Sequence, residues 1–250
     1  MNPIMSENNL GVLDRFGSAR ALVAFDYDGT LAPIVADRDR ALMRQRTRLL
    51  LDEVTRYYPS AVISGRGRDD VIALLDGISV KHVVGNHGIE PADAGVPFEH
   101  DVAVVLPELQ AALREKQGIE IENKRYSLSI HYRKSKNNRD AAAAIHAAIA
   151  GLSRPMRPVL GELVVNIIPA GAPHKGDALA RLRAQECADI ALFVGDDVTD
   201  EDVFELNAPE WLVCVRVAHS ETSAAPWYLR NQLEMDSLLE KLVDLRKCAT

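Results

Sequence analysis

The sequence predicts an α/β protein in which a parallel central sheet, covered by helices, is interrupted by a smaller inserted α+β domain. Three observations carry that expectation. Short apolar runs rich in β-formers alternate with helical patterns over residues 21–88 and again over 170–217, the signature of successive βαβ units. Between them the rhythm changes to an alternating strand and an Ala-rich helix. Polar residues of an unusual kind also collect where several of the apolar runs end.

The elements follow in order. The first run, "ALVAFDYD" (21–28), is apolar through Phe25 and reads as a buried strand. A helix is expected near 40–57, a strand at "SAVISG" (60–65), a helix near 68–76 and a strand at "KHVVGNHG" (81–88). The stretch "EPADAGVPFEHD" (90–101) is rich in turn formers and leads into the insert. There the pattern predicts a helix at 102–117, a strand "YSLSIHYR" (126–133), a helix at 138–151 and a strand "ELVVNIIP" (162–169). In the first of these strands Leu128, Ile130 and Tyr132 alternate with Ser127, Ser129 and His131, as in an antiparallel strand with one wet face. The βαβ rhythm resumes at "AGAPHKGDALARLRAQ" (170–185), with "DIALFVGDD" (189–197), a helix near 200–208 and "WLVCVRV" (211–217). A final amphipathic helix (233–247) places Leu238, Leu239, Leu242 and Leu245 against the core. The predicted division is a core of residues 1–92 and 169–250 and an insert of residues 93–168.

Composition narrows the function classes. At 250 residues, 47% hydrophobic and 26% charged, the chain can bury one large core or two modest ones. A net charge of −7 argues against a nucleic-acid partner, whose affinity comes from clustered Lys and Arg. The three cysteines, Cys187, Cys214 and Cys248, are widely spaced and form no CxxC pair, so neither a disulfide framework nor a zinc site is indicated. The N-terminal "MNPIMSENNLGVLDRFG" lacks a basic leader followed by an apolar run, and no stretch has the length of a membrane span. The expectation is a soluble, unexported, cytoplasmic monomer with no membrane partner.

In open α/β sheets ligands bind outside the carboxyl ends of the strands. Those ends carry Asp26 and Asp28; Ser64, Gly65 and Arg66; Asn86 and His87; and Asp196, Asp197, Asp200 and Glu201, while Lys175 opens a helix. A hydroxyl, a lysine and a helix N-terminus suit phosphate oxygens, and several carboxylates around one point need a cation. A hard, oxygen-seeking ion is implied, and Mg2+ fits best because no His or Cys ligand is needed. A carboxylate facing a phosphoryl group beside Mg2+ can act as nucleophile, and a neighbour two residues on can move the protons.

These residues also carry a resemblance. "DYDGT" (26–30), the Ser64 segment, Lys175 and "GDDVTD" (195–200) resemble, in that order, the four motifs of the haloacid dehalogenase superfamily of phosphohydrolases. The finer pattern, "FDYDGTLAPI", "ISGR", "GNHGIE", "ENKRYSLSIHYR", "HKGDAL" and "FVGDDVTDEDVF", is similar to the trehalose-6-phosphate phosphatase family and spans residues 25–204. The resemblance implies a Rossmann-like core with an inserted cap, and a Mg2+-dependent phosphatase acting on trehalose 6-phosphate through an aspartyl-phosphate. It implies Asp26 as nucleophile and metal ligand, with Asp28 as general acid/base lending its backbone carbonyl to the metal. By the same resemblance Asp196 would complete the ligands, and Asp197 and Asp200 would hold the metal site or its waters. Ser64 and Lys175 would bind the transferring phosphoryl group, and Arg66, Asn86, His87 and Gly88 would line the entrance. The cap would close over substrate and read the sugar through Glu122, Lys124 and Arg133. One position departs from the family pattern: "VVNIIP" has Asn166 where the family usually has Glu, which exchanges a charge for amide donors.

Each motif has a plainer reading. Asp197, Asp200 and Glu201 also suit a helix start, His87 suits a structural hydrogen bond, and Glu122, Lys124 and Arg133 suit an exposed charged face. Asn166 leaves room for a phosphatase of another hexose or glycosyl-glycerol phosphate. A non-enzymatic rival is a sugar-phosphate sensor or regulatory partner of a synthase, against which stands the presence together of Asp26, Asp28, Ser64, Lys175 and Asp196.

Overall fold

The computed structural model describes residues 1–35, 40–91, 96–161 and 163–248. It divides into two compact units, Met1–Gly88 with His174–Thr250, and Ile89–Pro173. The first unit begins with β1 (Asn2–Pro3), a 3-10 turn at Leu10–Leu13 and α1 (Arg15–Ser18), followed by β2 (Ala21–Phe25), α2 (Gln45–Tyr57), β3 (Ser60–Ile63), α3 (Arg68–Leu75) and β4 (His82–Val84). The second holds α4 (Val96–Leu113), β5 (Glu120–Asn123), β6 (Leu128–His131), α5 (Asn138–Ala150), β7 (Met156–Gly161) and β8 (Val164–Pro169). The chain returns to the first unit with α6 (Lys175–Gln185), β9 (Ile190–Gly195), α7 (Glu201–Phe204), β10 (Leu212–Val217), β11 (Trp227–Leu229) and α8 (Glu234–Lys247).

The first unit is a seven-stranded sheet in the order β1-β11-β10-β9-β2-β3-β4, parallel at every pairing. Every residue of β2 and β9 is buried, as expected of strands covered on both faces. Alternate residues of β2 serve two cores. Ala21, Val23 and Phe25 pack with Leu51 and Val54 of α2 and with Leu238, Leu239 and Leu242 of α8. Leu22 and Ala24 pack with Ala178, Leu179 and Leu182 of α6 and with Phe204 of α7. The chain runs outward from β2 through β3 to β4, and later from β9 through β10 to β11, so the order reverses between β2 and β9. A crevice opens at such a switch point, at the carboxyl ends of the two strands.

The second unit is an antiparallel sheet in the order β5-β6-β8-β7. Val102, Val105 and Leu109 of α4 and Ile145 of α5 cover Leu128, Ile130, Val165 and Ile167. Two of its strands, β5 and β7, carry no strand signal in the sequence. Both lie at sheet edges, where "EIEN" is polar and the Pro158 of "MRPVLG" costs no ladder hydrogen bond. Ser127 and Ser129, expected on a wet face, are buried, and the Ser129 hydroxyl donates to Asn166 Oδ1 at 2.5 Å. Helix α4 starts at Val96 rather than at 102; Pro97 and Glu99 both suit a first turn, where no N–H is required and an acid faces the dipole. The expected helix near 200–208 is a 3-10 turn, Val198–Asp200, running into the four residues of α7. Residues 92–95 of the turn-rich stretch and residue 162 of the predicted strand lie outside the described residues. Among the described residues no helix is long and apolar enough to cross a membrane.

Candidate active site

Asp26 follows the last residue of β2, and its N–H donates to Val194 O of β9 at 2.8 Å, which fixes it at the switch point. Its side chain is buried, as is Asp200. Asp26, Asp196 and Asp200 each bring one carboxylate oxygen within 4.8 Å of the others. Lys175, 1% exposed, lies among them, with Nζ 2.9 Å from Asp26 Oδ1 and 2.7 Å from Asp200 Oδ1. The other oxygen of Asp200 accepts the backbone N–H groups of Asp196 and Asp197, both at 2.9 Å. Asp200 therefore orders the loop that presents Asp196. The side chain of Asp197 is not among the three that converge.

Two glycines permit the approach. Gly29 has φ +79, and a Cβ there would stand 2.0 Å from Asp196 Oδ2. A Cβ on Gly195 would stand 2.3 Å from Asp200 Cγ. Neither position tolerates a side chain without displacing a carboxylate.

The electrostatics follow from this crowding. Burial, and then the charge of Asp200, push the Asp26 carboxyl up to about 7, with Lys175 pulling the other way. Burial, and then repulsion from Asp26 and Asp200, push Asp196 up to about 9. Burial opposes the Lys175 ammonium, but Asp200 and Asp26 outweigh it and hold the lysine charged, above its ordinary value. One ammonium faces three carboxylates, and the excess negative charge is what a cation would offset. The donors are all oxygens, so the site fits a hard divalent ion of the Mg2+ type and not one that seeks sulfur or nitrogen.

The remaining predicted residues of the first unit are tied to one another by a chain of contacts. Asp28 turns to Arg66, which binds it in a two-pronged ion pair at 2.6 Å for each contact. Between the acids, Tyr27 is buried and donates to Ala41 O at 3.0 Å, with the Arg66 guanidinium 5.8 Å from its ring centroid. Ser64 is buried, and its Oγ accepts the Arg66 N–H at 3.2 Å. His87 donates its backbone N–H to Ser64 O at 3.0 Å, and the Asn86 N–H donates to Arg66 O at 2.7 Å. The His87 ring lies over Gly65, where a Cβ would come within 2.5 Å. Gly88, at φ +120, presses its backbone on His174. The Asn86–Gly88 turn thus links the Ser64 loop to the start of α6.

In the second unit, Glu122 of β5 pairs across to Ser129 of β6, and Ser129 to Asn166 of β8, so the three share one sheet face. His131 Nε2 lies 3.0 Å from Glu122 Oε2. Lys124 lies one residue beyond β5 and its backbone N–H donates to Ser127 O at 3.0 Å. Arg133 follows β6 and is exposed.

Two residues carry weight that the sequence reading left unassigned. Thr30 Oγ1 donates to Asp196 Oδ1 at 3.2 Å, although it stands inside the quoted "DYDGT". His174 caps α6, its Nδ1 accepting the N–H groups of Gly176 and Asp177 while Asp177 Oδ2 accepts the His174 N–H. The signal was an acid three residues after a candidate cap, hidden because His is an uncommon one.

A doubly covered parallel sheet interrupted by an inserted antiparallel unit is a fold of the haloacid dehalogenase type, here with acids and a lysine at its switch point. Solved structures share this fold. The C-terminal domain of Candida albicans trehalose-6-phosphate phosphatase superposes with a TM-score of 0.82 at 22% identity, covering 98% of this chain and 99% of that one. The trehalose-phosphatase family profile matches residues 24–233, and the chain belongs to that family, whose members are phosphoric monoester hydrolases. Relatives include probable trehalose-phosphate phosphatase 9 of rice (Oryza sativa subsp. japonica), 32% identical over 90% of this chain and 70% of its own length. The trehalose-phosphate phosphatase of Mycobacterium ulcerans is 32% identical over 85% of this chain and 57% of its own length.

Proposed function

We propose that the protein is a Mg2+-dependent phosphatase that hydrolyses trehalose 6-phosphate to trehalose and phosphate through an aspartyl-phosphate. The observation that carries this reading is the convergence of Asp26, Asp196 and Asp200 around Lys175 in a chain of this family. Asp26, Asp196 and the backbone carbonyl of Asp28 would hold the ion, with Asp197 and Asp200 supporting it or its waters. When bound, Mg2+ would offset the excess negative charge and polarise the phosphoryl oxygens.

The protein's own groups account for the rest. The Asp26 carboxylate attacks phosphorus as the sugar oxygen leaves, and Asp28 gives that oxygen its proton. Asp28 then takes a proton from water, which attacks the aspartyl-phosphate and frees Asp26. Lys175 and Ser64 bind the phosphoryl oxygens as charge shifts onto them. Arg66, which pairs with Asp28, holds the acid/base group ready, and Asn86, His87 and Gly88 line the approach. We assign substrate recognition to the inserted segment 93–168, acting as the cap, through Glu122, Lys124, Arg133 and Asn166.

One observation favours a second substrate within the same chemistry. Asn166 Oδ1 already accepts from Ser129, so the side chain offers a ligand its amide donors where a carboxylate would offer acceptors. Another hexose phosphate or a glycosyl-glycerol phosphate is the alternative. Release of inorganic phosphate from trehalose 6-phosphate tests the reading. Turnover is expected with Mg2+ and is expected to vanish with chelator or in Asp26→Asn; equal release with chelator would refute the metal role.

A further inference from the structure

The sequence assigns the C-terminal helix to packing alone, but the residues that lead into it reach the loop that holds the acids. Gln232 Nε2 donates to Thr30 O at 3.0 Å and to Leu31 O at 3.1 Å. Both acceptor residues are fully buried, so their carbonyls need a donor from the protein. We propose that Gln232 is a positioning residue for catalysis, holding the Asp26–Ala32 turn so that Asp28 and Thr30 keep their places. The inference rests on the phosphatase reading of the site given above.

The turn is a closed unit. Ala32 N–H donates to Tyr27 O at 2.9 Å and Gly29 N–H to Ala32 O at 2.7 Å, while Thr30 Oγ1 holds Asp196. Motion of the backbone at Thr30 and Leu31 therefore reaches both Asp28 and the carboxylate of Asp196. Gln232 is itself fixed from behind. Its carbonyl accepts the N–H of Met235 at 3.2 Å and Arg44 Nη2 at 3.4 Å. Arg44 grips the buried Asp236 of α8 through both of its carboxylate oxygens, at 2.8 and 3.1 Å. Thr47 of α2 donates to the same carboxylate at 2.6 Å. A double donor on a braced helix start thus meets two adjacent carbonyls of the catalytic turn. Removing the donor leaves two buried acceptors unmet, and the turn relaxes toward other partners.

Displacement of about 1 Å in a reacting group can cost about a hundredfold in rate. The loss should fall on kcat, because Asp28 acts on the leaving oxygen and no substrate contact is removed. The test compares Gln232→Leu and Gln232→Glu with Tyr58→Phe, which removes the buried hydroxyl that donates to Phe16 O and Leu242 O, hydrogen bonds that belong neither to the turn nor to the brace behind Gln232. With trehalose 6-phosphate and saturating Mg2+, well below the melting temperature, both Gln232 variants should lose about 10- to 100-fold in kcat and keep KM within about threefold. Tyr58→Phe should lower the melting temperature but keep kcat within about twofold of the parent. Parental kcat in either folded Gln232 variant overturns the proposal, as does a Tyr58→Phe loss as large as theirs. Asp26→Asn separates the levels: if it is active, the phosphatase reading itself has failed.

Discussion

Asp26 and Asp196 carry their charge at a cost, since burial and mutual repulsion push their carboxyls up to about 7 and about 9. Both values lie above the ordinary 3.8, so from about pH 4 to 9 these two carboxyls hold more protons in the metal-free folded state than in the unfolded chain. Their contribution to the stability of the metal-free protein therefore falls as pH rises through that window. A divalent ion competes with those protons. The rise in melting temperature on adding Mg2+ should thus be larger at pH 9 than at pH 5.5, and scanning fluorimetry at the two values checks it. Asp26→Asn removes one of the three converging charges while leaving Lys175 an acceptor. It should abolish turnover yet raise the metal-free melting temperature at pH 8. Lys175→Met does the opposite to the balance, leaving Asp26 and Asp200 buried with no ammonium. Urea unfolding at neutral pH should show a loss of about 3–5 kcal/mol.

At the scale of elements, the site depends on turns more than on strands. Gly29, at φ +79 and in contact range of Asp196, makes the turn after β2 possible; Gly29→Ala should cost about 1–3 kcal/mol and most of the turnover, measurable by unfolding and phosphate release on the same sample. The strands that carry the acids were legible because β2 and β9 are apolar runs buried on both faces, and burial leaves its mark on composition. The edge strands β5 and β7 were not legible. Their polar and proline residues are tolerated only because one side of each is unpaired, a fact of tertiary context. The start of α4 was hidden likewise, since turn formers and first-turn helix residues overlap in type. Within the site, the acids and Ser64 could be picked out by their types at strand ends and Lys175 by its place at a helix start, whereas Thr30 and Gln232 act through one or two hydrogen bonds that leave no pattern, and His174 is an uncommon type of cap.

For the whole molecule, the proposed function puts chemistry and specificity in different parts of the chain. Residues of the first unit supply the acids and the lysine, and the sequence order of those motifs was enough to anticipate the reaction class. Substrate choice is assigned to Glu122, Lys124, Arg133 and Asn166 of the second unit, where the sequence offered residue types without their pairing. The bond from Ser129 to Asn166 supplies that pairing for Asn166 and leaves its amide donors to meet the sugar. A site that hydrogen-bonds sugar hydroxyls discriminates strongly against substrates lacking them. The decisive measurement is kcat/KM for trehalose 6-phosphate against glucose 6-phosphate and a glucosyl-glycerol phosphate, with Mg2+ present. Trehalose 6-phosphate should be preferred by about a hundredfold or more; equal or slower turnover of trehalose 6-phosphate would contradict the proposed function.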